Sequence, residues 1–270
     1  MTVIALLGAG KIGEALLSGL LKGGHAPGDL LFTERYEDRA RELETRYPGM
    51  RAVTVEDAAK RADVLVVAVK PQDIEPVLAE LVPLLGPSSL VVSLCAGLPT
   101  VLYERSLAEG VPVVRVMPNT PMLVGEAMSA ISPGRYATAA HVAVVKELLS
   151  HVGQVVEVPE KQQDAVTALS GSGPAYFFYL VEAMIDAGIL LGLPRALAGQ
   201  LIIQSAVGAA KMLAEGEDHP VLLREAVTSP AGTTINGIRE LEKHGVRAAL
   251  LDAIEAARDR SVELGREHEH

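Results

Sequence analysis

The stretch Val3-Ile4-Ala5-Leu6-Leu7-Gly8-Ala9-Gly10-Lys11-Ile12-Gly13 decides the reading of the fold. Its apolar run is too short for a helix and stops at glycine, which predicts a buried strand, and residues 14–21 then predict a helix. GxGxxG between a strand and a helix is the setting in which that motif binds a dinucleotide. Gly8 and Gly10 permit a tight turn and let backbone N–H groups approach a pyrophosphate. Gly13 lets helix and strand pack closely, and the helix N-terminus adds partial positive charge. Ala9, Lys11 and Ile12 complete the candidate loop. A plain strand-to-helix turn is the alternative, and the start of a βαβ unit favours the dinucleotide.

Working outward, short Val- and Leu-rich runs recur at residues 30–33, 64–69, 90–94 and 113–117, separated by helix-forming stretches. Consecutive rather than alternating apolar positions suit strands buried on both faces, as in a parallel sheet between helices. Two more strands are predicted at 127–131 and 154–158, around a helix at 139–150. Residues 1–158 therefore read as a Rossmann-type doubly wound domain, and residues 159–270 as an all-helical one broken at Gly192-Leu193-Pro194, Asp218-His219-Pro220 and Ser229-Pro230. The fold class is α/β plus all-α. Residues 196–213 carry apolar or small side chains on nearly every face, so the helix needs neighbours all round, and we expect the helices of two subunits to interpack. Residues 175–193 are long enough to cross a membrane. Glu182 and Asp186 lie inside them, each costing roughly 2.5–3.5 kcal/mol near a bilayer centre, so a buried helix is expected instead.

Composition narrows the function classes. With 24 Lys and Arg against 34 Asp and Glu over 270 residues, the formal charge of −10 offers no basic field for nucleic acid or anionic lipid. Aromatic residues are 3% with no Trp, which disfavours stacking platforms for single strands or sugars. One cysteine makes no intramolecular disulfide, and residues 1–7 lack the basic start of a signal peptide, so a cytoplasmic protein is expected. The histidines at 25, 141, 151, 219, 244, 268 and 270 form no HExxH or spaced metal cluster, and no GxSxG is present. No metal is expected.

Candidate site residues lie at predicted strand ends, where ligands of doubly wound sheets bind. Glu34 suits a ribose 2′-hydroxyl and Arg35 a 2′-phosphate, so the pair leaves the cofactor open, with NADPH ahead of NADH if Arg35 turns toward the adenosine. Lys70, between a buried strand and the Pro71 helix start, is held in position as a candidate cofactor and catalytic residue. Cys95 reads as a small buried hydrophobe rather than a nucleophile, since no His stands near it in sequence. Met117-Pro118-Asn119-Thr120-Pro121 fixes a loop presenting a carboxamide, or an ordinary turn. In the helical half, Ser170-Gly171-Ser172-Gly173-Pro174 reads as a loop capping the next helix. Thr228-Ser229-Pro230-Ala231-Gly232-Thr233-Thr234 gathers hydroxyls and free N–H groups at a helix start and suits a carboxylate. A hydroxyl-lined pocket without a strong acid favours C=N reduction, because an iminium is activated by its own charge.

Together these residues resemble pyrroline-5-carboxylate reductases. The resemblance runs from Val3 to about Leu264 and is carried by Gly8 to Gly13, Ala68-Val69-Lys70-Pro71-Gln72, Met117-Pro118-Asn119-Thr120, Leu169 to Tyr176 and Ser229 to Thr234. It implies a Rossmann domain with a helical dimerisation domain, interlocked dimers that assemble into rings up to decamers, and hydride transfer from NAD(P)H to 1-pyrroline-5-carboxylate. It further implies that Ala68, Val69, Lys70, Pro71, Ala96, Gly97 and Asn119 face the nicotinamide half. The substrate carboxylate would sit on the loop of Ser229, Gly232, Thr233 and Thr234, presented by the partner subunit, with Thr234 at the ring nitrogen and Glu217 nearby. The sequence departs from the family at Ala231, where glycine is usual and alanine is strained if the turn needs positive φ. It departs also at Val55, where Asn is frequent, and at Cys95, where Ala is commoner. The rival readings are a β-hydroxyacid dehydrogenase, for which Lys211 is the only loosely suited lysine, and a catalytically silent dinucleotide-binding protein.

Overall fold

The computed structural model describes residues 2–266; Met1, His268 and His270 lie outside the described residues. Its first part alternates β1 (Ile4–Leu7), α1 (Lys11–Lys22), β2 (Leu30–Thr33), α2 (Glu37–Arg46), β3 (Arg51–Ala52), α3 (Val55–Arg61), β4 (Val64–Val67), α4 (Ile74–Leu81), β5 (Leu90–Ser93), α5 (Thr100–Ser106), β6 (Val113–Met117), β7 (Ala127–Pro133), α6 (Ala139–Ser150) and β8 (Gly153–Glu157). These strands form one eight-stranded sheet in the order β3-β2-β1-β4-β5-β6-β7-β8. Pairing is parallel except between β6 and β7. The first six strands follow the dinucleotide-binding order, whose direction reverses between β1 and β4, and the crevice at their carboxyl ends is the ligand position of such sheets.

The strands are buried because both faces are covered. Ile4, Leu6, Phe32, Val66, Val92 and Val116 point to one face and pack with Leu16, Leu17 and Leu20 of α1 and Val145 and Leu149 of α6. Ala5, Leu7, Leu65, Val67 and Val91 point to the other and meet Ala58 of α3, Ile74 and Leu78 of α4 and Tyr103 of α5. The period-two alternation thus feeds two cores. β3 escapes a reading by apolar runs, since Arg51 and Ala52 make only a short ladder with Leu31 and Phe32 at the sheet edge.

The helical part comprises α7 (Gln163–Val166), a π turn (Thr167–Gly171), α8 (Gly173–Leu190), α9 (Arg195–Glu215), α10 (Pro220–Ala226), α11 (Thr233–Lys243) and α12 (Val246–Arg266). Two compact units result, one of residues up to Ser172 with the stretch from Ala257, the other Gly173–Ala256. The division falls later than the expected boundary at 158/159. The reason is that the stretch after β8 stays with the sheet: Gln163 is fully buried and donates to Ala130 O at 3.3 Å and Ser132 Oγ at 2.8 Å.

Two expectations for the helical half are corrected. The Ser170–Pro174 segment is not a loop, because residues 160–190 run as one helical stretch. Nor is the helix at 175–193 buried in the chain: Phe177, Phe178 and Tyr179 are 69%, 69% and 72% exposed. Both this stretch and α9 are long and apolar enough to cross a membrane by length and composition. Within the helical unit, α8 and α9 pack at Gly188, where a Cβ would lie 2.8 Å from Ala198 Cβ. Their remaining apolar faces find no cover within a single chain, as the all-round pattern of α9 requires of a helix built to meet further neighbours.

Candidate cofactor and substrate loops

Three turns meet at the carboxyl ends of β1, β4 and β5. Gly8 has φ +93°, and a Cβ there would lie 3.0 Å from Ala68 O and 3.2 Å from Val69 Cγ1, so only glycine lets the first turn sit on the second. A Cβ on Gly13 would lie 2.5 Å from Gly8 O and 2.7 Å from Leu6 Cδ2, which is the close helix-to-strand packing expected of the motif's last glycine. Gly10 is different: nothing stands within 4 Å of its Cβ position. It is the N-cap of α1, and no side chain caps that helix. The first N–H groups of α1 thus have no side-chain cap, and a Cβ at the N-cap would enter open space. This geometry fits a pyrophosphate, which supplies acceptors to uncapped N–H groups and negative charge to the helix dipole.

Beside this cradle, Gly8 N donates to Thr33 O at 3.2 Å, which brings the end of β2 to the turn. Glu34 Oε1 accepts from the Tyr36 N–H at 3.1 Å, and exposed Arg35 reaches Asp73 Oδ1 at 3.6 Å. Arg35 thus leans toward the segment after β4. Behind it stands a clamp that carries no motif in the sequence. Glu14 of α1 accepts hydrogen bonds from Arg39 and Arg46 of α2 and from Tyr47 Oη. Burial works to raise the Glu14 pKa, and these three donors outweigh it and hold the carboxyl below its ordinary range.

Lys70 N-caps a 3-10 turn at Pro71–Asp73, its carbonyl accepting from Asp73 N at 2.9 Å. Its side chain is exposed. Cys95 is buried, with Sγ 3.3 Å from Val69 O and 3.6 Å from Val67 O, so the β5 turn rests on the β4 turn. Burial raises the thiol pKa, against a nucleophilic role. Ala96 and Gly97 follow, Gly97 buried with φ +78°.

Asn119 has a partner at each end of its carboxamide. Its Oδ1 accepts from Met128 N at 3.0 Å, and its Nδ2 donates to Ser170 O at 3.1 Å. The second bond has a covalent cause. Pro174 lacks the N–H that would reach Ser170 O one helical turn back, and Asn119 supplies the missing donor. Ser172 N bonds Thr167 O at 2.8 Å in the π turn, and a Cβ on Gly171 would lie 2.4 Å from Met117 Cε. Met117 and Asn119 therefore pack on the Ser170–Gly171 turn, and both ends of the Asn119 carboxamide are hydrogen-bonded within the protein.

In the helical unit, the Thr228–Thr234 segment opens α11. Thr228 Oγ1 donates to Arg224 O at 2.6 Å, so that hydroxyl is taken. Ala231 has φ +58°, the only positive φ at a non-glycine among the described residues. Gly232 is the N-cap, its N–H bonded to Ser229 O at 3.1 Å, and a Cβ on it would lie 2.3 Å from Ser229 Oγ. No side chain caps α11. Ser229 and Thr233 are exposed and Thr234 half-buried around these uncapped N–H groups. Glu217 is exposed in the connection between α9 and α10. Among the described residues no group of three or more His, Cys, Asp or Glu is placed to hold a metal.

Residues 160–264 match the family described as pyrroline-5-carboxylate reductase dimerisation, and residues 3–97 the family described as NADP oxidoreductase, coenzyme F420-dependent. A pyrroline-5-carboxylate reductase of Corynebacterium melassecola is 49% identical over 269 residues, covering 98% of this chain and 100% of that one. A solved pyrroline-5-carboxylate reductase from Coxiella burnetii gives a TM-score of 0.90 at 35% identity, covering 97% of this chain and 98% of that one. A pyrroline carboxylate reductase from Plasmodium falciparum, solved with NADP bound, gives 0.89 at 30% identity over 98% of each chain.

Proposed function

This chain belongs to the pyrroline-5-carboxylate reductase family, and from that premise we propose that it reduces 1-pyrroline-5-carboxylate to L-proline, the last step of proline synthesis, with NADPH or NADH as cofactor. The observation that carries the cofactor side is the open cradle at Gly10, facing an uncapped helix start between two glycines that tolerate no side chain. Held by the turns at Gly8–Gly13, Ala68–Pro71 and Ala96–Gly97, a nicotinamide dinucleotide would supply hydride for C5 of the ring, and with a proton on the ring nitrogen the C=N bond would become CH–NH.

In this reading residues 1–158 bind the dinucleotide and residues 159–270 give dimer and substrate contacts. The backbone from Gly8 to Gly13 takes the pyrophosphate, Glu34 and Arg35 the adenosine ribose, and Ala68, Val69, Lys70, Pro71, Ala96 and Gly97 the nicotinamide end. Asn119 contributes by fixing the π turn. Ser229, Gly232, Thr233 and Thr234 receive the substrate carboxylate at the start of α11. Thr234 donates to the ring nitrogen, Lys70 and Glu217 supplying charge near the reacting ring. The protein works as an interlocked homodimer, further assembled up to a decamer, in the cytoplasm and without nucleic acid or membrane as partners. The bare faces of α8 and α9 support the dimer.

The test is nicotinamide oxidation by the purified protein given the cyclic imine, with NADPH and NADH compared, and pyruvate and a 3-hydroxyacid as controls. Rapid turnover of the imine is expected; a protein that binds cofactor yet leaves the imine untouched overturns the reaction assignment. Thr234→Ala should lower kcat/KM by about tenfold or more with NADPH affinity unchanged. Unaltered kinetics would remove Thr234 from the site.

A further inference from the structure

The turn from Cys95 to Pro99 is supported at two points by one short segment after β8. At its exit, Glu160 accepts from the backbone N–H and the hydroxyl of Thr100, both at 2.7 Å, at the first residue of α5. That helix has Pro99 as N-cap and no side-chain cap of its own, so Glu160 performs the capping from a distant element. The guanidinium of buried Arg115 lies 3.5 Å from the same carboxylate. Deeper in the turn, Gly97 meets the last turns of α12. A Cβ on Gly265 would lie 3.1 Å from Gly97 O, and a Cβ on Gly97 3.5 Å from Leu264 Cβ. The end of α12 is pinned there by Ser261, whose hydroxyl donates to Asp164 Oδ1 at 2.7 Å. Glu160 and Asp164 stand about one helical turn apart and so lie on one face.

We infer that Glu160 and Asp164 are positioning residues for the Cys95–Pro99 turn, Glu160 directly and Asp164 through Ser261 and the end of α12, and that they set the affinity for the nicotinamide end of the cofactor. This rests on the proposed reading that Ala96 and Gly97 face that end. Gly97 occupies a left-handed conformation in which a small displacement of the backbone redirects its N–H and C=O groups, and α12 removes the room for such displacement.

The test is calorimetric titration of NADPH into the full chain, alongside steady-state kinetics, melting and light scattering. Failure of the unaltered protein to bind NADPH overturns the cofactor reading itself, separately from this inference. Given binding, Asp164→Ala and Ser261→Ala should each raise the NADPH Kd by about tenfold, with KM for the imine nearly unchanged. The double variant should be no worse than either single one. Asp164→Asn keeps an acceptor oxygen for Ser261 and should restore affinity, which a general loss of stability would not do. Gly265→Ala, which presses one methyl toward Gly97 O, should reproduce the weakening, and serves also where an alanine at 164 or 261 fails to fold. Wild-type NADPH affinity in the folded variants, additive effects in the double variant, or no rescue by Asn overturns the inference.

Discussion

The sheet unit and the helical unit treat apolar residues in opposite ways. In the first, Leu65 on β4 is 1% exposed, covered by helices on its own face of a sheet that is covered on the other face too. In the second, Leu201 and Ile203 on α9 are 51% and 53% exposed, and few side chains of the unit are buried. Burying apolar surface gives roughly 25 cal/mol per Å², so wet faces of this extent are unstable unless something covers them. One unit carries its own core. The other leaves apolar faces that a single chain does not cover, and residues 160–264 match a dimerisation family.

One substitution placed in each unit should separate the two most widely. Leu65→Asp puts a charge into a closed core and should cost about 4 kcal/mol or more in urea unfolding, at any protein concentration. Leu201→Asp should act through assembly: a smaller particle by light scattering, and a Tm that falls further as the protein is diluted. Equal losses from both changes, independent of concentration, would erase the distinction. Gly10→Ala should separate ligand binding from stability within the sheet unit. The methyl enters space that is empty within the protein, so Tm should stay unchanged while NADPH affinity drops about tenfold. The smallest effect belongs to the helical unit. Left-handed Ala231 carries about 1–2 kcal/mol of strain, and glycine returns about 0.5–1 kcal/mol of that as chain entropy, so Ala231→Gly should stabilise by about 0.5–1 kcal/mol in chemical denaturation.

What was legible in the sequence was local. Runs such as Val64 to Val67 name their strands because both sheet faces are covered, and Gly8 and Gly13 name their turn because no other side chain fits. Ala231 was legible by contrast, as the residue standing where the family uses glycine. The misses were long-range. Ser170 to Pro174 has the composition of a loop, and its Ser170 carbonyl is satisfied by the Asn119 carboxamide, 51 residues away, as the chain runs on as helix. β3 carries no apolar run, being an edge ladder of two residues. The exposure of α8 was hidden because an apolar helix reads the same whether its cover comes from its own chain or another. Glu14, Glu160 and Asp164 carry no signal in the sequence, since their partners lie in other elements.

The return of α12 to the sheet unit has a consequence for the order of folding. Synthesis delivers β1 through β6 first, yet Gly97 meets Gly265 and Asp164 meets Ser261 only across separations of 97 residues and more. Such contacts close slowly, because a long loop must be brought together before they form. A nascent chain can therefore build its sheet while the turn beside it still lacks its backstop, and the end of α12, made after the whole helical unit, closes the sheet unit from behind.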